Sequence, residues 1–455
     1  MMNVTLAIAG KSSRAAKEAT GSVAKLAIAA GHPDWEILDE TSAFKICIQG
    51  DKYLFGSGVT RNYDMAFKRY MAAAKFGLPE ASNMLGAMYE YGIGRDADLP
   101  TAVYWYKESA AKDFAEAYNN LGRIYETGKG IPKDYAQAVE YYLKAAESGH
   151  ADAQSNLAFM LENGVGCKPD VKKAMTWYKL AADQDYARAQ NALGCIYYQG
   201  KGGVEKDYNL AIKYFRKACE QGNAHSQNNM AIAFEDGLGV VRDYAAAKEL
   251  YRKASESNHP SGTNNLAYIY LLEGNYDQAL KTFHLATALG SIDALFNIGT
   301  LYEAGVHHPS GDPDLAMAYK YYVEAAHKQH QKAQIKVANT LLKGLGVTER
   351  NPEEAAQWLE KCAAQNNAEA MNQLAQLYEI GVGVEQDIDV AKAWYAKALA
   401  HGSDAALNNM GALYEIGIGV DRNLDRALRL YQEAEKRGNE DARKRLQELR
   451  ELSVV

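Results

Sequence analysis

Three groups of residues in this chain have types and spacings that could support chemistry. The first is glycine. In "GRIYETGKGIPKDYAQAVEYYLKAAESG", residues 122 to 149, Gly122, Gly128 and Gly130 stand just ahead of an apolar, Tyr-rich helical pattern. A glycine loop that opens a helix can hold a phosphate on its backbone N–H groups. "GKGGVEKD", residues 200 to 207, has a similar look, but it lacks the G-x-x-x-x-G-K-[ST] spacing and no strand precedes it. The second group is histidine: His307, His308, His327 and His330 lie close in sequence. About fifteen helical residues separate the two pairs, roughly 20 Å at ~1.5 Å per residue, so one metal ion cannot hold all four. The third is carboxylate, abundant but spread over solvated helix faces. There is no nucleophile elbow and no Ser, His and Asp at motif spacing. The sequence predicts no catalytic residue, no metal site and no cofactor.

Recurrence decides the reading of the glycines. The small residue after the first apolar residue of each unit is Gly86, Gly122, Ala158, Gly194, Ala231, Ala267, Gly299, Ala338, Ala375 and Gly411, in steps of 36, 36, 36, 37, 36, 32, 39, 37 and 36 residues. A period in this range marks a solenoid. Paired glycines follow at Gly92 and Gly94, Gly128 and Gly130, Gly164 and Gly166, Gly200 and Gly202, Gly237 and Gly239, Gly344 and Gly346, Gly381 and Gly383, and Gly417 and Gly419. A phosphate loop is needed once, so these pairs are expected to be turns.

The elements within one unit follow from periodicity. In "AYNNLGRIYETG", Ala117, Leu121, Ile124 and Tyr125 share one helical face. Gly128 is expected to end that helix in a left-handed conformation. Asp134 is placed to cap a second helix, whose stripe is Ala138, Tyr141, Tyr142, Ala145 and Ala146, ended by Gly149. The small residue lets the two helices approach closely. Trp105, Trp177, Trp358 and Trp394 are expected to fill the space between successive pairs. Each unit is thus an antiparallel hairpin whose apolar face needs a neighbour.

The pattern A-x-x-x-L-G-x-x-Y-x-x-G-x-G-V, then D-x-x-x-A-x-x-W/Y-Y-x-K-A-A, then G, resembles the Sel1-like repeat family, a relative of the tetratricopeptide repeat. It recurs from about residue 43 to 438, in eleven units. The first unit keeps its second helix but blurs its first. The seventh, "NNLAYIYLLEGNYDQALKTFHLATALG", lacks the glycine pair and turns at Gly274 and Asn275; the eighth has a longer turn, "AGVHHPSGDPDLA". Together they either change the twist and divide the array into two arms, or represent a tolerated insertion. The expected fold is all-α: a right-handed superhelical solenoid of about eleven antiparallel helix hairpins. Residues 1–40 read as an N-terminal segment, helical or partly disordered, 41–440 as the repeat array and 441–455 as a capping helix with a charged outer face.

Composition narrows the function class. The 455 residues would by length alone suggest about three domains. A net charge of −7 and pI near 5.9 give no reason to expect nucleic acid. No apolar run approaches the ~20 residues of a membrane span. Lys11, Arg14, Lys17 and Lys25 sit among small residues as in a transit sequence, but Glu18 and the acidic stretch after it argue against one. Cys47, Cys167, Cys195, Cys219 and Cys362 are odd in number and irregularly spaced, which fits buried thiols in a reducing, cytoplasmic setting.

Two columns remain. Three residues before the small residue stand Asn83, Asn119, Asn191, Asn228, Asn264, Asn372 and Asn408; four after it stand Glu90, Glu126, Glu162, Glu235, Glu303, Glu379 and Glu415. Seven residues apart, they share a helix face. In tetratricopeptide relatives that face lines the concave groove, so the resemblance implies that asparagines hold a bound backbone while the acids favour a partner segment, extended or helical, with basic residues. The same residues could instead tie each helix to its neighbour. The resemblance further implies a non-catalytic scaffold or adaptor that assembles a protein complex through its concave and convex surfaces. Other classes are a secreted bacterial effector in host contact, a hydrolase like the cysteine-rich relatives (whose paired cysteines this chain lacks), and an RNA-binding array of similar period.

Overall fold

A computed structural model describes residues 40–306, 311–347 and 349–452. The N-terminal segment and the pair His307 and His308 lie outside the described residues, as does the end of the chain beyond 452. The described residues form 23 α-helices, one short 3-10 turn and no strand. They pair into eleven consecutive hairpins, and the helix Glu440–Leu452 follows the last of them. Hairpin 3 is representative: Ala115–Thr127 is its first helix and Tyr135–Glu147 its second. The chain divides into two compact units. One runs through Ser226 and includes Leu238–Val241; the other holds Gln227–Gly237 and everything from Arg242 onward.

Local chemistry explains each boundary. The first helix of hairpin 3 stops at Gly128, whose φ of 66° lets its N–H close on the carbonyl of Ile124. Asp134 then accepts from the Gln137 N–H at the head of the second helix. Asp98, Asp170, Asp207, Asp314 and Asp387 do the same for their own second helices, and Asn275 does so in the irregular seventh hairpin. Between hairpins the chain again turns left-handed, at Gly149 (φ 83°) after hairpin 3. Where the sequence has no glycine there, Asp113, Asp185, Asn258, Gln329 and Asn366 take the same conformation.

The cores straddle the boundaries between hairpins. Ala117, Leu121 and Ile124 are fully buried against Ala102, Val103, Tyr106 and Ala110 of the preceding second helix, while Ala138, Tyr142, Ala145 and Ala146 pack on Ala153, Leu157 and Met160 of the next first helix. Two of the expected core residues sit differently. Tyr125 and Tyr141 are half-buried and stack on each other, with ring centres 5.5 Å apart, because they lie at the edge of the helix interface rather than within it. Among the described tryptophans only Trp358 is buried; Trp105, Trp177 and Trp394 pack on the cores from the side. Cys47 and Cys362 are buried, while Cys167, Cys195 and Cys219 are half-buried. The first hairpin, blurred in sequence, uses Gly50 as its small residue, packed on the ring of Tyr70.

The two glycines of a pair do different work. All the paired glycines have positive φ. The first ends its helix. The second comes so close to the preceding hairpin that a side chain would collide: a Cβ on Gly166 would meet the backbone of Tyr135, where the previous second helix begins. Gly149→Ala, where a Cβ meets nothing within 4 Å, is therefore expected to cost about 1 kcal/mol for its backbone conformation alone. Gly166→Ala adds overpacking and is expected to cost about 3 kcal/mol. Thermal unfolding of the two variants checks this; equal melting temperatures would contradict the close approach.

Candidate functional site

The glutamate column is organised by a ring. In each typical hairpin the residue eight after the second-helix cap is tyrosine, and its ring lies on the small residue of the first helix. A Cβ added at Gly122 would be 2.6 Å from the Tyr142 ring, and one at Gly86 would be 2.7 Å from that of Tyr106. Lying there, the ring puts its hydroxyl at the glutamate one turn further on. Tyr106 donates to Glu90 at 2.9 Å, Tyr142 to Glu126 at 2.5 Å and Tyr178 to Glu162 at 2.9 Å. In the second unit Tyr251 donates to Glu235 at 2.8 Å, Tyr322 to Glu303 at 2.5 Å, Tyr395 to Glu379 at 2.6 Å and Tyr431 to Glu415 at 2.8 Å. Burial, then the adjacent carboxylate, push the Tyr142 and Tyr395 hydroxyls far above their ordinary range, so both stay donors.

Sequence reasoning missed these tyrosines as partners of the acids, although a signal was present. In three hairpins where the acid is absent the hydroxyl is absent too: Tyr198 accompanies Phe215, Leu271 accompanies Phe283 and Leu342 accompanies Leu359. In the first hairpin Leu54 holds the acid position and Tyr70 donates to Asp51 instead, at 2.7 Å. A buried hydroxyl without an acceptor, or a carboxylate without a donor, is destabilising, so the two change together.

Some glutamates also meet a cation from the next hairpin. Arg123 grips Glu90 with two bonds of 2.7 and 2.6 Å, and Lys129 stands 3.9 Å away. Lys201 reaches Glu162 at 2.6 Å, Lys336 reaches Glu303 at 2.8 Å, and Arg445 of the last helix holds Glu415. The Glu90 side chain is wholly excluded from solvent. Burial pushes its carboxyl up, but the bonds and charge of Arg123 outweigh this and hold it below its ordinary value. Glu126, Glu235 and Glu379 have no such cation among the described residues.

The asparagine column stitches hairpins together. Asn83 accepts from Asn120 at 3.0 Å and Asn119 from Asn156 at 3.1 Å, each donor standing on the first helix of the next hairpin. Asn191 accepts from Ser226 at 2.8 Å. In the second unit Asn228 accepts from Asn265, Asn264 from Asn297 and Asn372 from Asn409, at 3.0, 2.9 and 3.0 Å. Asn83, Asn119, Asn228, Asn264 and Asn372 are buried, whereas Asn191 and Asn408 are half-buried. Arg445, which stands where a donor to Asn408 would, turns to Glu415 instead. The structure thus sets the two columns side by side on the first helices, already engaged with one another's neighbours. The histidines have separate tasks: His330 caps a first helix and faces Asp293, and His327 packs edge-on against Trp358.

The Glu90 pair predicts a pH signature. A carboxyl held below its ordinary value of 4.5 stabilises the fold fully above that value, and the contribution is lost as pH falls through the folded value. Arg123→Met leaves the buried Glu90 carboxylate to the Tyr106 hydroxyl and Lys129 at 3.9 Å, and is expected to cost about 3 kcal/mol at neutral pH. The gap between parent and variant should narrow on acidification, from the pH at which Glu90 protonates in the variant down to the lower pH at which it protonates in the parent. Urea denaturation at a series of pH values reads this gap; a constant difference would contradict the assignment.

Comparison with known proteins agrees with this architecture. The Sel1 repeat model matches residues 43–68, 79–114, 115–150, 151–186, 187–223, 224–259, 292–330, 331–367, 368–403 and 404–439. The irregular seventh hairpin is the one it passes over. A solved protective antigen from uropathogenic Escherichia coli, described as displaying an SLR fold, is 26% identical over 92% of this chain and 91% of its own, with a TM-score of 0.54. A Sel1 repeat protein from Oxalobacter formigenes is 29% identical over 53% of this chain and 96% of its own, with a TM-score of 0.49. No curated protein matches the chain.

Proposed function

Since the chain belongs to the Sel1 repeat family, whose solenoids generally bind other proteins, we propose that it is a non-catalytic scaffold or adaptor. It engages a polypeptide along the face formed by its first helices and so helps to assemble a protein complex. The observation that supports this most is the order of that face. Asparagine-to-asparagine bonds join neighbouring first helices at five boundaries, as from Asn119 to Asn156, into stretches of ordered polar floor beside the glutamate column, interrupted at Ser155, Phe296 and Ile335. A surface that is already ordered loses little freedom on binding, which favours affinity for an extended or helical segment. The acids Glu126, Glu235 and Glu379, unmatched by a cation among the described residues, favour basic residues in that segment. In this reading residues 41–440 are the binding array and 441–455 its cap, where Ala442 and Leu446 cover the last hairpin. The five cysteines, all thiols, fit a cytoplasmic setting. No described helix is long and apolar enough to cross a membrane.

Photo-crosslinking tests the face. A crosslinker at Tyr268 or Gln376, both exposed on first helices, is expected to capture the partner; one at Leu180 or Leu285, exposed on second helices, is not. Capture only from the second-helix positions would overturn the reading. The asparagine column is tested by changing Asn83, Asn119, Asn191 and Asn228 together to Ala. At about 0.5–1.5 kcal/mol per bond, a loss of roughly 2–6 kcal/mol is expected. Melting temperature and partner affinity on one preparation divide that loss: affinity falling with the fold intact assigns these residues to the partner, and loss in step assigns them to the floor.

A further inference from the structure

The chain can supply a cation to a column glutamate from three places in the next hairpin. Arg123 comes from the residue after the small residue, Lys336 and Arg445 from two before that position, and Lys129 and Lys201 from seven after it. At Glu379 all three places are neutral: Ala412 follows Gly411, Asn409 precedes it by two and Ile418 follows by seven. Asn409 is moreover engaged with Asn372. Glu126 and Glu235 share this lack, but the residue after the small one is a large ring there, Phe159 and Tyr268. Ala412 is the small exception.

Space remains beside it. A cleft of about 490 Å³ opens there, lined among others by Glu379, Ala412, Gln376, Asn339, Gln373 and Asn409. That volume lies within the ~300–1,000 Å³ typical of ligand clefts. Its wall has one carboxylate, positioned by the Tyr395 hydroxyl, and four carboxamides able to donate to or accept from a peptide backbone. Leu342, Leu377 and Ile380 supply apolar surface for an aliphatic stem. The equivalent carboxylates Glu90 and Glu415 are both held by guanidinium groups of this same chain. A planar guanidinium matches a carboxylate with two parallel bonds.

We propose that the cleft beside Glu379 receives an arginine side chain of the bound polypeptide, which takes the place that Arg123 takes at Glu90. This rests on the reading that the first-helix face binds a polypeptide, and it names the side chain recognised and the hairpins that recognise it, the ninth to the eleventh.

A random dodecapeptide display library, selected on the full chain and on two variants, tests it. Glu379→Gln keeps an acceptor for Tyr395 while removing the charge. Ala412→Arg installs in the chain the cation that hairpin 3 supplies to Glu90. Peptides selected on the parent should be enriched in arginine and should bind either variant roughly tenfold or more weakly. Both variants should melt within a few degrees of the parent, so that lost binding is not lost fold. Changing the peptide's arginine to citrulline should weaken binding to the parent and leave the already weak binding to Glu379→Gln unchanged. Arginine-enriched peptides that bind parent and both variants equally would overturn the Glu379 cleft while leaving the first-helix face intact. Selected peptides with no basic preference would do the same. A library from which nothing binds the parent would count against the interaction face itself, and with it the cleft.

Discussion

The contact between a second-helix tyrosine ring and the small residue of the first helix governs the rest of this structure. Gly122 has no Cβ, so the Tyr142 ring can lie flat on the helix backbone, and the two helices close around it. That position carries the hydroxyl to a carboxylate that accepts its hydrogen bond, a glutamate one turn further on in seven hairpins and Asp51 in the first. The packing of the ring and the polar end of the hairpin are therefore one arrangement. Phe215 with Tyr198, Phe283 with Leu271 and Leu359 with Leu342 show the apolar form of the same joint.

A glutamate brought indoors in this way carries a charge that one hydroxyl does not balance. At Glu90 the balance comes from Arg123, at Glu162 from Lys201 and at Glu303 from Lys336, each in the following hairpin. The intrahairpin joint thus creates a demand that the interhairpin contact meets. The asparagine bonds and the close approach of the second turn glycine act across the same boundary. Stability in such an array is the sum of hairpins and their nearest-neighbour interfaces, and charge is part of each interface here.

The same demand connects stability to recognition. A column acid matched within the chain is a structural element, and one left unmatched is a point where an incoming cation gains most. The array keeps one backbone plan and varies the residue after the small one among Arg123, Phe159, Tyr268 and Ala412. Glu162, Glu303 and Glu415 take their cations from elsewhere in the repeat, while at Glu90, Glu126, Glu235 and Glu379 that position supplies the gripping arginine, a large ring or the small wall of a cleft. Recognition can be altered there without touching the joint itself.

The sequence alone determined the hairpin, because its signals are local. The period, the left-handed Gly128, the cap at Asp134 and the burial of Leu121, Ile124 and Tyr142 all follow from spacing within about forty residues. It also placed the asparagine and glutamate columns on one face, since a helix fixes that by geometry. The sequence did not reveal what those columns touch. Asn119 meets Asn156, and Glu90 meets Arg123, only when one hairpin is stacked on the next at a given rotation. Helical periodicity says nothing of that rotation. The misplacement of Tyr125 in the core has the same origin: a stripe predicts which side faces inward, while stacking decides which residues lie at its edge. Tertiary structure decided the source of each countercharge, because a lysine from a turn, as at Lys201, and an arginine from a helix, as at Arg123, reach equivalent acids from different places in the repeat.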